Sequence, residues 1–434
     1  MNELTTILSE WNQWWSAGVV SSELSGKIRG YTKELIDLTP VREIKILTGV
    51  RRSGKSTLFY QIIDWLIKSK KISPKQILLI NFEDEALANF TIEDIFNAYR
   101  TDVFPADKII YLFLDEIQQN RGWEKWIRKK YDLKKKINFF VTGSSANLLK
   151  PEYATLLTGR NITRVIYPLS FKEILLFNEI TIENINLLTQ DTKNLINNLL
   201  SEYMKSGGFP EIVFYKPDIK RKLLNQFFSD IIYKDIVNRY GCQPARIKDL
   251  AGYLLTNISS PASHRALRNA LGFGLNTIGE YLSYLEDAFL VFQLFSFDYS
   301  YKKQLVNPRK IYAIDIGLRN AVAFKFSRDT GRILENIVFL ELKRRNLEMY
   351  YWKDKRGKEI DFLIRQDTTI KNAIQVCADP SDKKTLKREL SALEAAMNEF
   401  KLDKGLVITM SETGKIKIGG KIIKFVPVYE WLII

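Results

Sequence analysis

Lys55 stands in the stretch Gly49-Val50-Arg51-Arg52-Ser53-Gly54-Lys55-Ser56, which fits G-x-x-x-x-G-K-[ST] without a mismatch. Glycines at those two places let the backbone curl until successive N–H groups face one centre, and a helix starting there adds its partial positive charge. That is a cradle for phosphate. Lys55 would reach the β- and γ-phosphates, the Ser56 hydroxyl would sit on Mg2+, and Thr57 is a further phosphate neighbour. The plain alternative is a glycine-rich turn that binds nothing. A second group of reactive residues ends the apolar run KIIYLFLDEIQQ (108–119) at Asp115-Glu116. In a parallel sheet such an end lies beside the phosphate corner. Asp115 would hold the Mg2+ shell, and Glu116 would orient or deprotonate an attacking water. A third run, INFFVTGSS (137–145), ends at Thr142-Gly143-Ser144-Ser145, whose hydroxyls suit a γ-phosphate or the lytic water. Ser144 is the candidate sensor, with a Gly-Ser turn as the alternative. Together the three ends imply a nucleoside triphosphate with Mg2+ and phosphoryl transfer to water.

The elements that must position these residues are legible around them. ILTG closes a buried strand, and STLFYQIIDWLIK carries Leu58, Ile62, Trp65 and Leu66 at the i, i+4, i+7, i+8 spacing of a helix packed on a sheet. QILLINFED supplies a further strand between the lysine loop and the acidic pair. Alternating strands and helices of this kind predict an α/β fold with a parallel sheet. At 434 residues and 46% hydrophobic content the chain should form two to four domains. Cys242 and Cys377 form no CxxC pair and His264 is the single histidine, which excludes His/Cys metal sites and nucleophiles that need a histidine base. No apolar run approaches the ~20 residues that span a bilayer, and MNELTTILSEWNQWW lacks the marks of a secretory signal, so no membrane partner and a cytoplasmic address are expected. The net charge of +15 is spread along the chain, with no isolated basic tail, and permits polyanion binding without requiring it. Trp11, Trp14 and Trp15, at helical spacing and without interleaved cations, are expected in core packing or docked on the lid, not as a base-stacking platform.

The three motifs, with the double arginine inside the loop, resemble the AAA+ ATPases of archaea and bacteria, and in particular the group that carries a C-terminal winged helix and a restriction-endonuclease-like region. The resemblance runs through Leu157-Thr158-Gly159-Arg160, YPLSFKEI (167–174), Gly207-Gly208-Phe209-Pro210, SDIIYKDI, YLSYLEDAFLV, KIYAIDIGLRNA, LENIVFLEL and YYWKDKRGKEIDFLI, nearly the whole chain. It implies an N-terminal helical segment (1–40), a P-loop AAA+ core (41–170), a helical lid (171–225), a winged-helix domain (226–330) and a nuclease-like domain (331–434). It also implies ATP rather than GTP. Pro210 looks like the lid proline of the Gly-x-Pro signature of signal-transducing ATPases, which lies near the nucleotide; a bare turn is the alternative. Arg160 would sense the γ-phosphate from its own or a neighbouring subunit of a homo-oligomer, or be a surface arginine.

Residues 261–288 show two short amphipathic helices joined at GFG, a helix-turn-helix pattern, with VFQLFSF, a polar YSYKK tip and KIYAID following as a hairpin wing. From Asn269 to Tyr301 there is no lysine or arginine, and the second helix carries Glu280, Glu286 and Asp287. Asn276 and Thr277 are suited to base contact, and Arg265, Arg268, Lys302 and Lys303 to phosphates, so double-stranded DNA and protein partners both remain open. His264 is read as a helix-start residue. In the last hundred residues an acidic helix, a hairpin and a strand resemble the PD-(D/E)xK nuclease outline. There Asp361 would bind Mg2+ with help from Glu335 or Glu341. Gln375-Val376-Cys377 replaces the acid-x-lysine pair, and Lys358 is the substitute the hairpin offers. A degenerate nuclease fold used as a binding platform is expected. The whole reads as a slow ATPase acting as a nucleotide-controlled switch associated with DNA. The rival is a signal-transducing ATPase with protein partners, and an ATP-regulated nuclease stands behind both.

Overall fold

The computed structural model describes residues 3–146, 159–324 and 329–434. The chain divides into two compact units, one ending at Ile166 and the other beginning at Tyr167. Leu157 and Thr158, quoted above, lie outside the described residues.

The first unit is built on five parallel strands: β1 (Ile44–Thr48), β2 (Ile77–Asn81), β3 (Ile110–Asp115), β4 (Ile137–Gly143) and β5 (Asn161–Val165), in the spatial order β2-β3-β4-β1-β5. Continuous apolar runs give strands buried on both faces, as parallel sheets require. One face packs Ile46, Leu78, Leu112 and Val141 on the helices Ile92–Asp102 and Trp123–Asp132. The other packs Leu47, Leu79, Phe113 and Phe140 on the helix Lys55–Lys68, with the Phe113 and Phe140 rings stacked at 4.6 Å. The N-terminal helices belong to this same unit. Trp14 is fully buried, the indole N–H groups of Trp14 and Trp15 both donate to the Ile77 carbonyl, and that of Trp11 donates to Asp84. Core packing of the tryptophans is thus what the structure shows.

The second unit opens with the helices Phe171–Phe177, Gln190–Ser206, Pro217–Asp230 and Pro244–Thr256. Ser170 and Glu173 close a reciprocal cap on the first of them. Next, β6 (Pro261–Ala262), the helices His264–Leu271 and Leu275–Asp287, β7 (Val291–Leu294) and β8 (Arg309–Ala313) form a small antiparallel sheet in the order β6-β8-β7 behind two helices. The expected strand pair is present, but its connection differs from expectation. Residues Tyr301–Val306 form a short helix there, so Lys302 and Lys303 stand on a helical turn instead of a hairpin tip. The helix Thr330–Arg344 leads into a six-stranded mixed sheet of β9 (Glu348–Lys353), β10 (Glu359–Gln366), β11 (Thr369–Val376), β12 (Lys404–Thr409), β13 (Gly414–Ile418) and β14 (Lys421–Pro427), ordered β13-β14-β12-β11-β10-β9. The helix Lys383–Glu399 covers one face through Leu393, Ala396 and Met397.

Candidate nucleotide site and a buried acidic centre

β1 ends at Thr48, and the chain turns at Gly49 with φ +148°, where an added Cβ would lie 2.2 Å from the Ile166 carbonyl oxygen. Glycine is obligatory there. Val50, Arg51, Arg52 and Ser53 complete the loop, Gly54 reverses it with φ +94°, and the helix begins at Lys55. Arg29, from the N-terminal segment, donates 2.6 Å to the Ser53 carbonyl and ties the loop from outside. Ser53 is fully buried and its hydroxyl oxygen has no partner. An orphaned polar atom of that kind costs stability unless something fills the cradle, and a phosphate oxygen suits it.

The strand order puts β4 between β1 and β3, so residues from all three strand ends converge. Lys55 Nζ lies 3.1 Å from the Gly49 carbonyl oxygen, 3.2 Å from that of Val50 and 3.6 Å from Glu116 Oε1. Asp115 accepts hydrogen bonds from the hydroxyls of Thr142 and Ser56. Burial, then the neighbouring Glu116 charge, pushes its carboxyl up to about 6. Glu116 takes a left-handed backbone at φ +50° and donates its N–H 2.9 Å to Thr142 Oγ1. Its carboxylate accepts from the Ser144 N–H at 3.2 Å and from the Gln118 amide, which also reaches Ser144 Oγ at 3.4 Å. Burial works to raise the Glu116 carboxyl, but the charges of Lys55 and Arg51 prevail and hold it below the ordinary carboxylate range. Burial and charge thus push the two adjacent carboxyls in opposite directions, Asp115 up and Glu116 down. Ser56 and Asp115, a hydroxyl and a carboxylate already bonded to each other, fit Mg2+ as the two residues that would hold it.

The structure therefore brings together Gly49 to Ser56, Asp115, Glu116 and Ser144. Thr57 follows in the first helical turn, its methyl facing the backbone of Gly26. Arg160 is not brought to this pocket. It precedes β5 at the opposite end of the sheet, about 16 Å away by strand rise, where its carbonyl accepts from Ile44 N–H and its Nε lies 2.9 Å from Asp132. Pro210 belongs to the second unit and opens the single turn Pro210–Ile212. The Gly208 N–H just before it donates 2.7 Å to the buried Asp315, whose carboxyl burial pushes up to about 6. Thr142 as the brace of both acids, Gln118 and Arg29 were missed from sequence. Thr142 alone carried a signal, as a hydroxyl at the end of a strand.

In the second unit a lysine stands among the acids to which the nuclease resemblance would give Mg2+. Lys310 Nζ, on β8, lies 2.9 Å from each of Glu335 Oε1, Glu359 Oε1 and Asp361 Oδ1. Tyr312 donates 2.7 Å to the same Glu335 oxygen, and Asp361 Oδ2 accepts from Val376 N–H at 3.0 Å. Gln375 accepts from Asp361 N–H at 3.2 Å and donates to Glu389. Of the two helix acids, Glu335 is the one at this centre; Glu341 pairs with Arg345 at 3.0 Å. Lys358 points elsewhere, to the Ser391 carbonyl at 3.3 Å. Lys310 escaped the sequence reading because it sits 51 residues before Asp361, in a different sheet.

A family model described as an AAA domain matches residues 41–175, and two described as Domain of unknown function, DUF8612 and DUF4143, match 197–329 and 330–431. The chain is similar to the uncharacterized protein MJ1544 of Methanocaldococcus jannaschii, 35% identical over 427 residues that cover 94% of this chain and 92% of that one. It is similar to an uncharacterized protein of Haemophilus influenzae, 34% identical over 343 residues, 77% of this chain and 83% of that one. Among solved structures it is similar to the Walker-type ATPase PABY2304 of Pyrococcus abyssi, with 15% identity, TM-score 0.37 and coverage of 71% of this chain and 97% of that one.

Proposed function

The chain belongs to the family of the uncharacterized Methanocaldococcus jannaschii protein MJ1544 and carries an AAA domain over residues 41–175; on that premise we propose that it binds ATP with Mg2+ and hydrolyses it slowly to switch its C-terminal modules. The observation that carries this reading is the convergence of the Lys55 ammonium and the Glu116 carboxylate at 3.6 Å beside a Ser56–Asp115 pair. Loop amides from Val50 to Lys55 receive the phosphates, and Lys55 neutralises charge as it builds on the γ-phosphate. Ser56 and Asp115 would hold Mg2+, which would supply further charge neutralisation there. Glu116 orients the attacking water and accepts its proton, held in place by Gln118 and the Ser144 N–H. Ser144 reads whether the γ-phosphate is present. Arg160, far from its own pocket, would serve the site of a neighbouring subunit, and Pro210 would report lid position. The link onward is Asp315, which grips Gly208 and also caps the helix Ile316–Val322 that follows β8.

The switched modules read best as DNA-associated. The helices and three-stranded sheet of residues 244–313 support reading this segment as a winged helix, and Arg265, Arg268, Asn276, Lys302 and Lys303 are exposed. Two of the acids that argued against a polyanion are engaged: Glu286 accepts from the Gln293 N–H at 3.0 Å, and Asp287 from the Tyr240 hydroxyl at 2.8 Å. A signal-transducing role with protein partners is the second reading, favoured by the lack of cations on the helix Leu275–Asp287. Among the described residues no helix is long and apolar enough to cross a membrane; the cytoplasmic address rests on the sequence.

Crystals grown with a non-hydrolysable ATP analogue and Mg2+ test the core of the reading. The triphosphate should lie in the loop 49–57, with Lys55 Nζ drawn off the Gly49 and Val50 carbonyls and Ser53 Oγ bonded. A loop left empty at millimolar analogue would overturn it.

A further inference from the structure

The buried centre around Lys310 does not fit the metal that its nuclease-like outline calls for. An ammonium has three N–H donors, and here three carboxylates take them at 2.9 Å each: Glu335 from the helix Thr330–Arg344, and Glu359 and Asp361 from β10. The lysine side chain is 1% exposed, so no water completes its shell. Two further hydrogen bonds hold the acids, from the Tyr312 hydroxyl to the same Glu335 oxygen and from the Val376 N–H to Asp361 Oδ2. A hard divalent cation needs six or more oxygen ligands and keeps several waters, which this arrangement leaves no room for.

We propose that Lys310 is the resident cation of this centre, standing where a metal ion would otherwise be held, so that the C-terminal domain works as a metal-free clamp fastened to the preceding three-stranded sheet. The proposal is independent of nucleotide chemistry. β8 contributes the cation and β10 with the helix Thr330–Arg344 contributes the anions, so this buried side chain joins the module carrying Arg265, Lys302 and Lys303 to the six-stranded sheet. Breaking such a pair from one side leaves uncompensated buried charge.

Nucleotide-free protein is titrated with Mn2+, read by electron paramagnetic resonance, as wild type, Asp361→Asn, Lys310→Ala and Lys310→Ala/Asp361→Asn. Wild type should bind no Mn2+ that Asp361→Asn removes. Lys310→Ala, which removes both the charge and the stem that fills the centre, should gain one Mn2+ per chain, at least tenfold tighter than any site in wild type, and the double variant should lose it. Mn2+ bound by wild type and lost in Asp361→Asn would overturn the proposal, as would a Lys310→Ala protein that folds and gains no site. Should Lys310→Ala not fold alone, refolding in Mn2+ decides: recovery of folded chain supports the ammonium as a stand-in for the ion, and no recovery contradicts it.

Discussion

Asp115, which we propose holds Mg2+, is a buried carboxyl that costs the fold stability at neutral pH. Its folded carboxyl holds a proton up to about pH 6, against an ordinary value of 3.8. The folded state therefore binds the proton more tightly than the unfolded one. The resulting stability is fully present below about pH 4 and is lost as pH rises through about 6, a difference on the order of 3 kcal/mol. Asp115→Asn removes the buried charge. In thermal melts of nucleotide-free protein this variant should be more stable than wild type at pH 7.5, by up to that amount, with the advantage shrinking as pH falls through 6. Mg2+-dependent ATP binding should fall at least tenfold. An equal or lower melting temperature at pH 7.5 would show that the carboxylate is already paid for by its hydrogen bonds.

Among the elements, legibility followed local signal. β1, β3 and β4 are apolar runs ending in polar residues, and both the runs and the polar residues that end them were readable. β5, Asn161–Val165, is a half-exposed polar edge strand and gave no pattern to read. The P-loop helix declared itself by period, whereas the brace of Thr142 on both acids depends on β4 lying between β1 and β3, a spatial fact no window of sequence contains. Lys310 was hidden for the same reason. The helix Tyr301–Val306 replaced an expected tip because the turn residues quoted there set no hairpin geometry. One element carries a prediction of its own. Asp315 joins the Gly207–Pro210 turn to the helix Ile316–Val322 by accepting from Gly208 and Leu318 N–H groups. Asp315→Ala should cost about 1–3 kcal/mol in denaturant unfolding. It should leave ATP affinity within about twofold, since every phosphate contact lies elsewhere. Loss of ATP binding in a folded Asp315→Ala protein would contradict that separation.

For the whole molecule, the net charge of +15 settles less than where its cations stand. The exposed arginines and lysines of residues 264–303 make a specific forecast. Affinity for a duplex should fall steeply with salt, and replacing both Lys302 and Lys303 by alanine should reduce the slope of log K against log salt by about two. Salt-independent failure to bind any duplex would move the account to protein partners. ATP turnover measured with and without duplex reads the same question from the other unit, through stimulation by DNA.

The most direct test is paired ATP binding and radiolabelled turnover of wild type, Lys55→Ala and Glu116→Gln with Mg2+. Glu116→Gln should bind ATP within about threefold of wild type while its turnover drops roughly a hundredfold or more, and Lys55→Ala should lose both. Wild-type turnover in Glu116→Gln, or undiminished ATP binding in Lys55→Ala, would contradict the assignment of this pocket.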